Sequence, residues 1–289
     1  MLYMALIIVS TQPGYLHRLF CTAPMRNDAM RAALLNLLLP ALCALAPPAH
    51  AQACAEPIAA LAERAYAQRP GTALPDRAGW AREPLEGACR VWPARPELTL
   101  LAVPVWRQGA EPDLRDGDLE VMVLDTASGR PQAWLRLPHA LDSDAIRATG
   151  LQLDTAAYQL DAATRAFGVR VDRSGSSMPN PFGETSLRLF VYQPGMLRAV
   201  SAPLVVARMN GEWDTRCAGD FVQIERSVAI GPARAGGYAD LVVRQRGTQR
   251  SSRDVDGQCE ETSTPTATIR YVLRHDGRRY PVPAALAPL

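Results

Sequence analysis

The residues with the types and spacing for chemistry fall mainly in two acidic runs. "DLRDGDLE" offers Asp113, Asp116, Asp118 and Glu120; "RDVDGQCEE" offers Asp254, Asp256, Glu260 and Glu261. A hard cation such as calcium takes several carboxylate oxygens around a glycine that permits a sharp turn, and both runs have that make-up. Neither follows the spacing D-x-[DN]-x-[DN]-G-x5-E. Asp and Gly are also ordinary turn formers, so solvated turn carboxylates are the competing reading for both runs. The first run is the better calcium candidate.

Nucleophilic chemistry has less to build on. Beyond residue 51 the chain has two histidines, His139 in "LPHALDSD" and His275 beside Asp276-Gly277. A Ser-His-Asp hydrolase needs one of them oriented by a carboxylate and within reach of a serine. The serines of "SGSSMP" lack the second glycine of a G-x-S-x-G elbow, and no helical pattern follows them. Every basic residue is Arg, which excludes Schiff-base lysines, a P-loop lysine and Ser-Lys catalysis. Dispersed carboxylates or His139 remain as the enzyme alternative. No residue set asks for a cofactor. Trp80, Trp92, Trp106, Trp134 and Trp213 are spread along the chain. Trp106 and Trp134 read as core, and Trp80 and Trp92 as cover over the helix.

The cysteines carry structure rather than catalysis. Cys54, Cys89, Cys217 and Cys259 lie beyond residue 51 with no C-x-x-C among them, which argues against zinc. An even number in an exported chain reads as two disulfides. Cys54–Cys89 and Cys217–Cys259 are favoured, because each pair lies within one region. Each bridge is worth roughly 3–4 kcal/mol in the chain-entropy model.

Export is the expectation from the leader. From Met30, "MRAALLNLLLPALCALAPPAHAQA" has a basic start, an apolar stretch and an Ala49-His50-Ala51 cleavage site. Residues 30–51 read as a signal peptide, and residues 1–24 as a start codon assigned too early. The apolar run is shorter than the ~20 residues that span a bilayer, so no transmembrane segment is expected in the mature chain. The formal net charge is +2, and Arg18, Arg26 and Arg31 against Asp28 account for all of it within residues 1–51. A neutral remainder offers no footprint for nucleic acid.

Those residues must be held by elements, and the periodicity names them. "CAEPIAALAERAYAQR" places Ile58, Leu61, Ala62 and Ala65 on one helical face, with Glu63 and Arg64 toward water. Pro70 to Pro96 reads as loop with at most one short helical turn. From Glu97 the period becomes that of strands. Phe167, Val169 and Val171 share a face opposite Arg170 and Asp172, and Leu187, Leu189 and Val191 match them across "GSSMPNPFGET". That stretch reads as an ordered hairpin connector, longer than most, and as a partner contact if it is a site. Hairpin turns are expected at "TASGRP", "QPG", Asn210-Gly211 and Asp276-Gly277. "LDTA" occurs at Leu124–Ala127 and Leu153–Ala156, too little to establish a repeat.

About ten strands without alternating helices predict a mainly β fold. The sheets would be antiparallel and sandwich-like or short propeller-like, with an N-terminal helix. The expected organisation is a leader over 1–51, a helical and loop appendage over 52–96, a β domain over 97–210 and a C-terminal β region over 211–289 that belongs to the same domain or follows it. "GGYADLVV" followed by "IRYVLRHDGRRYPV" resembles the closing strands of exported bacterial β-rich proteins of uncharacterised role. The matching residues are Gly237, Tyr238, Asp240, Leu241, Asp276, Gly277 and Tyr280. The resemblance implies a secreted β protein and no particular activity. The sequence thus points to a periplasmic or secreted, disulfide-stabilised protein that binds a protein or envelope component, and away from an enzyme.

Overall fold

The computed structural model describes residues 54, 56–68, 79–109, 114–235 and 237–289. The leader over 1–51 and the candidate ligand Asp113 lie outside the described residues. Among those described, no helix is long and apolar enough to cross a membrane.

The fold is mainly β and sandwich-like, as the alternation predicts. Helix α1 (Ile58–Ala67) lies on the first sheet, made of β1 (Trp80–Arg82), β2 (Ala88–Val91), β3 (Leu98–Arg107), β4 (Gly117–Asp125) and β5 (Pro131–Leu137). Strand β3 pairs antiparallel with β4, and β4 with β5; β1 and β2 both pair along the other edge of β3. The second sheet contains β6 (Ile146–Gln159), β7 (Arg165–Gly175), β8 (Phe182–Gln193), β9 (Met196–Ala199), β10 (Leu204–Trp213), β11 (Gly219–Ile230), β12 (Leu241–Val255), β13 (Gln258–Pro265) and β14 (Ile269–Leu273). Its order is β13-β12-β11-β10-β8-β7-β6, with β14 on β12 and β9 on β8.

Three hydrophobic clusters bind the layers. The middle one joins the sheets through Trp92, Leu100, Val121, Phe167, Val169 and Phe190. Trp92 meets Phe167 edge-on at 5.4 Å, and Phe167 stacks on Phe190 at 5.6 Å. Leu61, Ala62 and Ala65 of α1 pack on Leu101, Val103, Met122 and Leu124. On the far side of the second sheet, Leu189, Leu204 and Leu241 meet Tyr280 and Leu286 of the C-terminal segment. Both faces of β3 and β4 are therefore covered, which is why they read as continuous apolar runs.

Several expectations need correcting. The stretch read as loop before Pro96 holds β1 and β2 as well as a short 3-10 turn at Pro84–Glu86. It is woven into the first sheet rather than appended to it. Asn210-Gly211 is not a turn. Both residues lie inside β10, opposite Val222 and Phe221, and the chain reverses later, between Trp213 and Gly219. An organisation that breaks at residue 210 would cut through this strand. Asp276-Gly277 does turn the chain, with Gly277 at φ 94°, but no returning antiparallel strand follows. Instead Tyr280 bridges Ser201 in parallel. The two Leu-Asp-Thr-Ala stretches also differ, one leaving β4 into a turn and the other inside β6.

Candidate functional site

Alternation along β4 sends Asp118 and Glu120 to the same side as Met122 and Leu124, the side covered by α1. Both carboxylates are buried. Arg136 of β5 donates from Nε to Asp118 at 2.7 Å and reaches Glu120 at 3.7 Å. Arg82 of β1 donates to Glu120 at 3.1 Å, and the Tyr66 hydroxyl of α1 donates to it at 2.7 Å. The His139 backbone N–H donates to Asp118 at 3.0 Å. Asp116, at the edge, pairs instead with exposed Arg107. Guanidinium groups thus hold Asp116, Asp118 and Glu120, three of the four acids of the calcium candidate. No group of three or more His, Cys, Asp or Glu able to hold a metal occurs among the described residues.

The glycine of that run has a different purpose. A Cβ on Gly117 would lie 2.7 Å from Trp106 Cε3 and 2.8 Å from Leu141 Cβ. Gly117 is the seat of a buried indole, whose Nε1 donates to Glu86 at 2.8 Å. The second acidic run is turn chemistry. Asp256 and Gly257 both have positive φ, as a two-residue hairpin turn requires. Asp254 accepts the Gly257 N–H at 2.9 Å, and Glu261 faces Arg250.

A cleft of about 400 Å³ opens at one end of the sandwich, lined by Arg115, Asp116, Asp142, Asp144, Arg173 and Glu184 among others. Its lining residue Asp142 meets His139, which at φ 57° sets Nδ1 2.8 Å away. That is an oriented His–Asp pair, but the adjacent Ser143 does not complete a triad. Its hydroxyl donates to the Leu141 carbonyl and accepts the Ala148 N–H. The other carboxylates are engaged too. Asp142 accepts the Gly117 N–H, Asp144 the Ile146 N–H, and Glu184 two bonds from Arg208. His275 is structural. Its Nδ1 accepts the Gly277 N–H, and its ring packs between Tyr238 and Tyr280. Burial, and then Arg198, hold its pKa below the ordinary histidine value.

A third region escaped the chemical reading of the sequence. Beyond the sandwich, the ends of β10 and β11 and the outer part of β12 continue with β13 as an arm. All eight residues of β13 are exposed. Cys217 and Cys259 pin the β10–β11 turn to β13, with Cα atoms 5.5 Å apart; Cys54 and Cys89 stand 6.0 Å apart at the helix. On one arm face the Phe221 ring lies between two glycines. A Cβ on Gly211 would meet it at 2.5 Å, and one on Gly219 at 2.9 Å. Arg250 covers the ring at 4.9 Å. Gly211 is thus a seat for an aromatic ring, which explains an Asn-Gly that makes no turn.

The connector "GSSMPNPFGET" meets this arm along the last residues of β10. The strands absorb all but residues 176–181, and the hairpin pairs from Ala166↔Val191 to Ser174↔Gly183. Its prolines then act as acceptors. Trp213 N–H donates to the Pro179 carbonyl at 2.7 Å, and Gly211 N–H to that of Pro181 at 3.2 Å. Between connector and arm lies an open recess of about 370 Å³, lined by Asn180, Trp213 and the Arg253–Asp220 ion pair, among others. No protein-family model, no curated protein and no solved structure matches the chain.

Proposed function

We propose that this is an exported binding protein of a bacterial cell envelope, periplasmic or secreted, and that the arm with the recess beside its β10–β11 turn is its contact surface. One observation carries the reading: a four-stranded polar arm stands outside the core with its outermost strand wholly exposed, and a cysteine pair holds it together. A two-stranded ribbon alone in water is marginal. Pairing to β11, itself paired to β10, and the cross-link give this one a fixed surface. Glu260, Glu261 and Pro265 on β13 blunt its free edge against indiscriminate strand pairing, which leaves the faces and the recess for recognition. The signal-like segment over 30–51 and the cysteine pairs support export. The partner is a protein or an envelope component.

The test is comparative capture. The immobilised protein and a recess variant, Trp213→Ala with Arg253→Glu, are exposed to the same envelope extract. The wild type is expected to retain a component that the variant loses, while both melt alike by circular dichroism. Equal retention by both, or none by either, overturns the proposal.

The second reading, an envelope hydrolase, rests on the His139–Asp142 pair beside the 400 Å³ cleft. Chromogenic esters, amides and glycosides test it. Hydrolysis that disappears in His139→Gln would move the assignment to this site.

A further inference from the structure

Strand β8 places Glu184, Ser186 and Arg188 on the face toward the first sheet, in register with Arg173, Val171 and Val169 of β7. Glu184 is neutralised by Arg208. Arg188 has no such partner: among the described residues no hydrogen bond or ion pair reaches its guanidinium. It is partly buried, and its charged form is disfavoured first by that burial and then by the like charge of Arg173. Arg173 in turn donates to the Ala140 carbonyl at 2.7 Å and to Ser186 Oγ at 3.3 Å. The acids in its field are Glu184 and Asp142, both already engaged elsewhere.

The two arginines and Ser186 line one slot between the sheets, whose other walls are apolar: Leu119, Leu137, Ala140, Val169, Val171 and Pro203. Its volume is about 20 Å³; one water needs roughly 10–15 Å³ on that measure. Two guanidiniums around a small apolar slot want a negative charge between them, because a half-desolvated cation without a counter-charge is costly.

We propose that this slot binds one small monovalent anion, held by Arg188 and Arg173 with the Ser186 hydroxyl as a further donor. The chemistry is that of a halide or of the carboxylate end of a larger molecule. Arg173 also lines the 400 Å³ cleft, so the same guanidinium borders both spaces. The site is separate from the arm and does not depend on the binding role proposed above.

Thermal melting in sodium bromide, sodium acetate and sodium gluconate at equal ionic strength tests it, because gluconate is too large for the slot. Bromide is expected to raise the midpoint above that in gluconate by about 3 °C at a tenfold excess over Kd. An equal gain in acetate identifies carboxylate as an accepted ligand; a gain in bromide alone restricts the site to halides. Arg188→Met should lose the anion-specific gain and melt at or above the wild type in gluconate. Crystals grown in bromide should show an anomalous peak between Arg188 and Arg173, a readout that needs no variant. Identical melting of the wild type in all three salts, the same gain in Arg188→Met, or no peak would overturn the site.

Discussion

Trp106 in the sandwich and Phe221 on the arm use the same device in opposite surroundings. Each aromatic ring lies where a neighbouring strand has glycine in place of a side chain: Gly117 of β4 under Trp106, and Gly211 of β10 under Phe221, whose own strand adds Gly219 on its other side. Trp106 is 3% exposed and fixed by its bond to Glu86. Phe221 is partly buried, with Arg250 as its cover. In the core the glycine admits bulk that the surrounding layers hold in place. On the arm it lets a ring lie flat on a sheet with no second layer above it. The comparison separates a part of the molecule shaped by packing from a part whose shape must come from pairing and the cross-link.

The largest effect belongs to the sandwich. Arg136→Met would strand Asp118, which is 1% exposed, with the His139 N–H as its remaining partner among the described residues. Breaking a buried ion pair from one side costs about 3–5 kcal/mol, and chemical denaturation should show a loss of that size. Replacing both partners, Asp118→Leu with Arg136→Leu, should recover much of it. Full stability in the single variant would mean that the network is not what holds β4 to β5.

Next come the glycines. Gly117→Ala forces the indole against Leu141 in a filled core and should cost about 1–3 kcal/mol, the usual range for overpacking. Gly211→Ala would bring its Cβ to 2.7 Å from the Asp220 carbonyl as well as onto the ring, so β10 and β11 must part locally; it should cost about 1 kcal/mol globally, less than Gly117→Ala, because the arm lies outside the filled core. Its effect should appear as faster amide hydrogen exchange confined to β10–β13. Equal global losses for the two would erase the distinction between packed and paired regions.

The smallest effect is a pH dependence within the sandwich. Burial raises the pKa of Asp154 in β6, but hydrogen bonds from the Ala156 N–H and from Arg170, together with the Arg170 charge, outweigh it and hold the carboxyl below its ordinary 3.8. A group depressed in the folded state contributes stability above its unfolded pKa and loses it as pH falls through the folded value. Asp154→Asn should therefore melt below the wild type at pH 7, with the gap closing below about pH 4. A gap independent of pH would assign the loss to packing.

Much of the fold was legible. The alternation of Phe167-Val169-Val171 against Leu187-Leu189-Val191 identified a hairpin, and α1 followed from one apolar stripe. Strands β1 and β2 were not legible. Each is three or four residues long, among prolines and glycines, and is defined by pairing to β3 rather than by a period of its own. At Gly117 and Gly211 glycine marks a close approach inside a strand and not a turn. In Asp116-Gly117-Asp118 and Asn210-Gly211 the deciding atom belongs to an aromatic ring brought in by another strand. The cations that claim Asp118 and Glu120 were hidden for the same reason. Arg188 was hidden by alternation itself: "SLRLF" puts it on the polar phase, which faces water only when a sheet has a free side. This sheet has both sides covered where Arg188 sits, and a polar phase then marks partly buried charge.

Strand β12 runs unbroken from Leu241, fully buried in the core, to Val255 on the arm, fifteen residues in all, or about 50 Å at strand rise. The arm therefore has no hinge of its own in that strand. A pull on its tip is transmitted along the β11 and β13 ladders into the central sheet as shear, which hydrogen-bonded strands resist together rather than one bond at a time. The Cys217–Cys259 link adds a covalent path for the same load. A molecule tethered through this arm would bear tension as one stiff lever.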